Sequence, residues 1–322
     1  MKKVWALVLA ISLMFTGVSC AKGDSQADDD KEEKIEIVAT VFPIYDWVRE
    51  IIGQDSGFDI TLLADSGVDF HSFQPSAEDV LKINKSDIFL YIGGISDQWV
   101  EEVVKDSKND EMKSLSMVSA LGDMIKMVDE DEEHHHEHEH AGDEEIDEHV
   151  WLSLKNAQFC VKDICTLLSE AYPERKEDFN ENAETYLDKL RKLDGEYETA
   201  VAESAGKRVL FGDRFPFRYM MDDYHITYFA AFPGCSSENE ASFEKVISLA
   251  NKADQLKIKN LIAIEDSKQD ICNSIIENTK EKNQSVVTMD SMQSIGKDDI
   301  EEGATYLDVM EKNLQALKKA LE

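Results

Sequence analysis

The sequence predicts an α/β protein of two lobes, each with a central, mostly parallel sheet flanked by helices, joined by one long rigid helix. Three observations lead there. Short β-rich runs alternate with helical periodicities from Lys34 onward, the pattern of a parallel sheet with crossover helices. The run "DIFLYIGG" (87–94) is continuously apolar and ends in two glycines, as a strand buried on both faces does. Between the two alternating halves lies one uninterrupted helical period from Pro173 to Ser204.

The elements follow in order. "KIEIVAT" (34–40) is a strand, and "PIYDWVREIIG" (43–53) a helix with Pro near its start and Gly at its end. "FDITLLA" (58–64) is a second strand. "SAEDVLKIN" (76–84) is a helix capped by Ser76. After the strand at 87–94, "QWVEEVVKD" (98–106) is helical. From about Asp129 to Asp147 there is no apolar period, only acid and histidine, and a loop is expected. "VWLSLKNAQFCVKDICTLLSEAY" (150–172) resumes a helix.

In the connecting segment, Phe179, Ala183, Tyr186, Leu187, Leu190, Leu193, Tyr197, Ala200 and Val201 recur in steps of three and four. A helix there would be roughly 45 Å long, longer than a small domain is wide. Beyond it, "KRVLFGD", "ITYFAAF", "NLIAIED" and "SVVTMDS" read as strands. "FEKVISLANKA", "QDICNSIIENTKEKN" and "YLDVMEKNLQALKKALE" read as helices. The lobes are therefore expected at 35–172 and 205–322, with the connecting helix at 173–204.

Acidic residues outnumber basic ones 67 to 34, giving a formal charge of −33. Such a surface repels phosphate backbones, so nucleic-acid binding is excluded as a function class. The first twenty residues, "MKKVWALVLAISLMFTGVSC", combine Lys2 and Lys3 with an apolar run too short to span a bilayer. Ser19-Cys20 closes that run in the manner of a bacterial lipoprotein signal. The expectation is cleavage before Cys20, a lipidated N-terminus anchored in the membrane, and an extracytoplasmic body. Residues 21–34 are polar and read as a flexible tether. Four further cysteines remain. Cys160 and Cys165 share a helix off one face and are expected as buried thiols, whereas Cys235 and Cys272 are open to bridging.

In such folds ligands sit beyond the carboxyl ends of strands. His71 follows the second strand, and His149 precedes an apolar start. In the other half, strands end on Asp213, on Glu265 and Asp266, and on Asp290. Imidazole suits zinc, and carboxylate suits zinc, manganese and harder ions. Two histidines and two carboxylates would complete a four-coordinate metal site in the cleft between lobes. No G-x-S-x-G or P-loop string is present, and the one HExxH string, 136–140, lies in the acidic run without apolar period rather than on an expected helix.

The strings "HSFQPSAEDV" and "DEHVWLSLKNA", the His-rich insert before the second, the long connecting helix and the terminal "MDSM" resemble the metal-binding lipoproteins of cluster A-I ABC importers. These are zinc and manganese solute-binding proteins. The resemblance covers Lys34 to the C-terminus. It implies one ion held between two lobes, with His71, His149 and Asp290 as ligands, and delivery to the permease and ATPase of an importer. Where zinc members carry a third His and manganese members a Glu, this chain reads "FGDRFPFRYMM" and offers Asp213. Glu238 and Glu240 are weaker candidates, and His225 is read as structural. The clustered His134, His135, His136, His138 and His140 are expected to form an auxiliary arm that binds zinc weakly.

The function expected is high-affinity capture of Zn²⁺ by a monomeric, non-enzymatic protein, with Mn²⁺ as the alternative cargo. A surface adhesin and a zinc hydrolase are the readings from other classes.

Overall fold

The computed structural model of the chain describes residues 34–128, 146–235 and 241–322. Expectations for the N-terminal signal and tether, the five clustered histidines, Glu238 and Glu240 fall outside these residues.

Two four-stranded sheets form. The first contains β1 (Ile35–Ala39), β2 (Phe58–Leu62), β3 (Ile88–Tyr91) and β4 (Lys113–Ser116), in the order β2-β1-β3-β4. The second contains β5 (Arg208–Phe211), β6 (Thr227–Ala230), β7 (Asn260–Ile264) and β8 (Ser285–Met289), in the order β6-β5-β7-β8. All pairings are parallel, with Ile37 opposite both Ile60 and Ile88, and Phe211 opposite Ile262. The two sheets thus repeat one topology. In each, the direction of strand addition reverses between the first and third strands, and the crevice at their carboxyl ends is the natural place for a ligand.

Strand β4 was not legible in the sequence. It reads "KSLS", and two of its four residues are exposed, so no apolar pattern marks it. It lies at a sheet edge, where such polarity is tolerated.

The helices of the first half are α1 (Phe42–Ile52), α2 (Ala77–Lys85), α3 (Trp99–Asp106), α4 (Met117–Leu121) and α5 (Leu154–Ala171). Pro43 stands in the first turn of α1, where its missing N–H costs nothing. Ser76 and Asp79 form a reciprocal capping box on α2, with the Asp79 N–H donating to Ser76 Oγ at 3.2 Å and the Ser76 N–H to Asp79 Oδ2 at 2.9 Å.

Pro173–Arg175 forms a 3₁₀ turn, and α6 then runs from Lys176 to Glu203. Its 28 residues span about 42 Å. Every apolar residue expected on its buried stripe is buried except Ala200, which is partly so. That stripe packs on α1 and α5. The second half adds α7 (Arg218–Asp223), α8 (Phe243–Leu256), α9 (Asp270–Asn278), α10 (Lys297–Glu301) and α11 (Tyr306–Ala320). The short helices α4, α7 and α10 hold five or six residues each, too few for a helical period to show.

Helix α11 contacts β7 and β8 and also α6 and α1. Its first residue, Tyr306, is fully buried. The Tyr306 hydroxyl donates to the Trp151 carbonyl at 2.6 Å, and its N–H donates to Asp46 Oδ2 at 2.8 Å. Trp151 Nε1 in turn donates to the Ser291 carbonyl at 2.8 Å. One apolar core consequently runs through both halves, including Trp47, Trp151, Tyr197 and Tyr306. At a second crossing the Lys297 N–H donates to the Asp65 carbonyl at 2.8 Å. Gly296 is required there, because a Cβ would fall 2.6 Å from that same oxygen.

Among the described residues no helix is long and apolar enough to cross a membrane. The four described cysteines are all free, and Cys160 and Cys165 are buried thiols as expected. Cys235 and Cys272 are not bridged. The Cys272 thiol is buried against the Gly212 carbonyl at 3.5 Å.

Candidate metal centre

His71 sits in a 3₁₀ turn, Phe70–Ser72, beyond the end of β2. The turn is fixed at both ends. Asp69 Oδ1 accepts from the His71 N–H at 3.0 Å, and the Phe70 N–H donates to the Gln293 carbonyl of the other half at 3.0 Å. Asp69 Oδ2 accepts from Arg214 Nη1 at 2.6 Å. Burial pushes the Asp69 carboxyl up, but Arg214 outweighs it and holds the group below the usual range.

His149 precedes a second 3₁₀ turn, Val150–Leu152, whose three residues are all buried. Asp147 Oδ1 accepts from the His149 N–H at 3.0 Å and lies 2.7 Å from its Nδ1. Asp147 is itself held by Tyr219, whose hydroxyl donates to the Asp147 carbonyl at 2.8 Å and accepts from the Lys126 N–H at 3.0 Å.

His71 Nδ1 is held in the same way. It lies 3.0 Å from Glu148 Oε1 and 2.8 Å from Ser96 Oγ. The Ser96 N–H donates to Glu148 Oε2 at 3.0 Å, and its hydroxyl makes a short bond to Oε1. This clasp explains the second of the two glycines closing "DIFLYIGG". Gly94 has φ +96, and a Cβ there would sit 2.8 Å from Glu148 Oε2.

A carboxylate on Nδ1 fixes each ring's tautomer and leaves Nε2 as the atom available to an ion. The two Nε2 atoms face each other at 3.1 Å. The Cys235 thiol is the third member, and the three ligand atoms lie within 4.8 Å of one another. Cys235 follows β6, and the Phe215 N–H holds its loop through the Gly234 carbonyl at 2.7 Å. Among the described residues this is the one group of three or more His, Cys, Asp or Glu side chains close enough to share an ion. It opens onto a cavity of about 620 Å³ that also touches Trp99, Ile146 and Gly234.

The electrostatics are those of a thiolate between imidazoles. Burial raises the Cys235 thiol, but His149 and His71 more than reverse this and bring it down to about 6. Burial lowers His71, while Cys235 and Glu148 lift it to about 9. His149 is likewise raised by Cys235 and Asp147 against its burial.

Asp213 and Asp290, expected as the remaining ligands, stand outside this group. Asp213 Oδ1 accepts from the Arg214 N–H at 2.9 Å, and the residue lines a separate cavity of about 590 Å³ with Glu265 and Asp266. Asp290 Oδ1 closes its own turn on the Met292 N–H at 2.7 Å, and its backbone pairs with Asn313 at 2.7 and 2.8 Å. Glu265 is committed to Ser291. His225 is exposed, with φ 54, in the turn after α7.

Cys235 was the residue missed. Its signal was present: a cysteine in a strand-end loop, directly after a glycine. The strand-end rule that points to His71 and Asp213 covers it equally, while an export signal makes a disulfide an equally good use of the same residue.

A two-lobed α/β protein in which two histidines and a cysteine converge in a partly buried cluster is the class that this fold and site define. Residues 37–320 match the family ZnuA, described as zinc-uptake complex component A, periplasmic, and the chain belongs to that family. It is 31% identical over 324 residues to the zinc-binding lipoprotein AdcA of Streptococcus pneumoniae, with 100% of this chain and 62% of that protein covered. It thus spans less than two thirds of that relative's length. It is 28% identical over 326 residues to the high-affinity zinc uptake system protein ZnuA of Bacillus subtilis, covering 100% of this chain and 99% of that one. The crystal structure of the Zn(II)-bound ZnuA-like domain of Streptococcus pneumoniae AdcA superposes with a TM-score of 0.71 at 28% identity, covering 89% of this chain and 99% of that chain.

Proposed function

We propose that this protein captures zinc outside the cytoplasm and hands it to the permease and ATPase of an ABC importer, with Cys20 as its lipid anchor. The observation that carries the reading is the approach of His71, His149 and Cys235 to within 4.8 Å of one another. A thiolate with two imidazoles is a zinc set, because soft sulfur disfavours manganese and calcium. Each imidazole is backed by a carboxylate, the arrangement that orients a histidine toward a metal and raises its basicity. The names of the relatives, zinc-binding and zinc-uptake proteins, support the same cargo. Manganese as the cargo is disfavoured by the sulfur. Capture rather than hydrolysis accords with membership of an uptake-complex family.

The test is a calorimetric titration of metal-free protein lacking residues 1–20, first with zinc and then with manganese. One tight zinc site, far weaker manganese binding, and loss of the tight site in Cys235→Ala are expected. Deleting 132–140, the stretch that holds the five clustered histidines, removes only weak additional sites. Unchanged tight zinc binding in Cys235→Ala overturns the assignment of the site.

A further inference from the structure

Gln293 belongs to the loop after β8, where the sequence pointed to Asp290. It is 4% exposed. Its backbone carbonyl accepts from the Phe70 N–H at 3.0 Å and so anchors the turn that carries His71. Its side-chain Nε2 donates to Cys235 Sγ at 3.3 Å. Its Oε1 is buried without a hydrogen-bond partner among the described residues. An orphaned buried amide oxygen is costly. The amide therefore lies here for what its other end does, and that end meets the sulfur.

We propose that Gln293 is a positioning residue for the metal centre, tuning Cys235 as a ligand through its N–H···S bond. Three segments converge on this one side chain and its backbone: the His71 turn, the Cys235 loop and the β8 loop. An N–H donor on a thiolate stabilises the anion and draws electron density from the sulfur. It also fixes the direction in which the remaining lone pairs point. The effect on the metal is transmitted through Cys235, since Gln293 itself is not among the ligand atoms. This inference rests on the reading of Cys235 as a ligand.

The discriminating experiment loads the metal-free protein, its Gln293→Glu variant and its Gln293→Leu variant with saturating cobalt(II). Sulfur-to-cobalt charge transfer then reports the sulfur directly. Gln293→Glu keeps the size of the side chain and its backbone bond to Phe70 but removes the donor; Gln293→Leu removes all polarity.

Both variants are expected to shift the charge-transfer band to lower energy, because a sulfur without its hydrogen bond is the better electron donor. Zinc affinity should fall about 10- to 100-fold, the usual cost of removing a partner of a metal ligand. The loss should be larger for Glu, whose carboxylate faces the thiolate. An unshifted band in either variant, with or without weaker binding, overturns the proposal and leaves Gln293 a packing residue. Absence of the band in the unsubstituted protein fails the ligand assignment of Cys235 instead, so the two failures are distinct.

Discussion

The Nε2 atoms of His71 and His149 face each other at 3.1 Å, although 78 residues separate them in the chain. Two imidazoles so placed cannot both point a proton at the other. Either one proton is shared or a cation stands between them and the thiol. Carboxylates occupy both Nδ1 positions, so neither ring can turn away without losing a charge-assisted bond. His71→Ala and His149→Ala should each lower zinc affinity more than about 100-fold, beyond the range for losing a mere supporting partner. Competition against a chelator indicator measures this, and a loss under tenfold in either variant contradicts the site.

Cys235 should set the choice of metal. Exchanging it for Asp replaces a soft ligand by a hard one of similar reach. Cys235→Asp is expected to weaken zinc by at least about tenfold while leaving manganese unchanged or slightly tighter, so the ratio of the two constants narrows. Parallel titrations with both ions read the ratio directly.

Asp213→Ala should leave the zinc constant within about twofold, since that carboxylate serves Arg214 and another cavity. Asp290→Ala should lower stability by about 1 kcal/mol through loss of its bond to the Met292 N–H, again with little effect on zinc. Denaturant unfolding of the metal-free protein measures the stability change. A collapse of zinc affinity in Asp213→Ala would return that residue to the ligand set.

The metal-free protein should be more stable near pH 5 than near pH 7.5. Burial lifts the Asp46 carboxyl to about 6, partly offset by the Tyr306 N–H. Burial likewise lifts Asp97 and Glu265 to about 7, opposed by the Gly93 N–H for Asp97 and reinforced by Asp290 for Glu265. Between about pH 4 and pH 7 the folded chain holds protons that the unfolded chain releases, so stability falls as pH rises. His71, lifted to about 9, gives stability that is full below about pH 6.5 and lost as pH rises through 9. Cys235, lowered to about 6, acts oppositely over much of the same window and offsets it. Thermal unfolding across pH 4.5–8 checks the trend, and Asp97→Asn should flatten it.

The sequence alone determined the architecture. Short apolar runs mark seven of the eight strands, and an apolar period of 3.6 marks the long α6 helix, because burial is written locally in residue order. His71 and His149 were legible for a similar reason, each lying in a short string whose turn is built from its own neighbours, Asp69 and Asp147. Strand β4 was not legible, since an edge strand needs no apolar pattern. The third member of the proposed metal group was decided only in three dimensions. Asp213, Cys235 and Asp290 all sit in strand-end loops of the second half and all are chemically able to bind an ion. Which of them reaches the histidines depends on how β5, β6 and β8 are ordered in the sheet and on where Arg214, Asn313 and Gln293 bond. Those are long-range contacts, such as Gln293 with both Phe70 and Cys235, and no local pattern of residues encodes them.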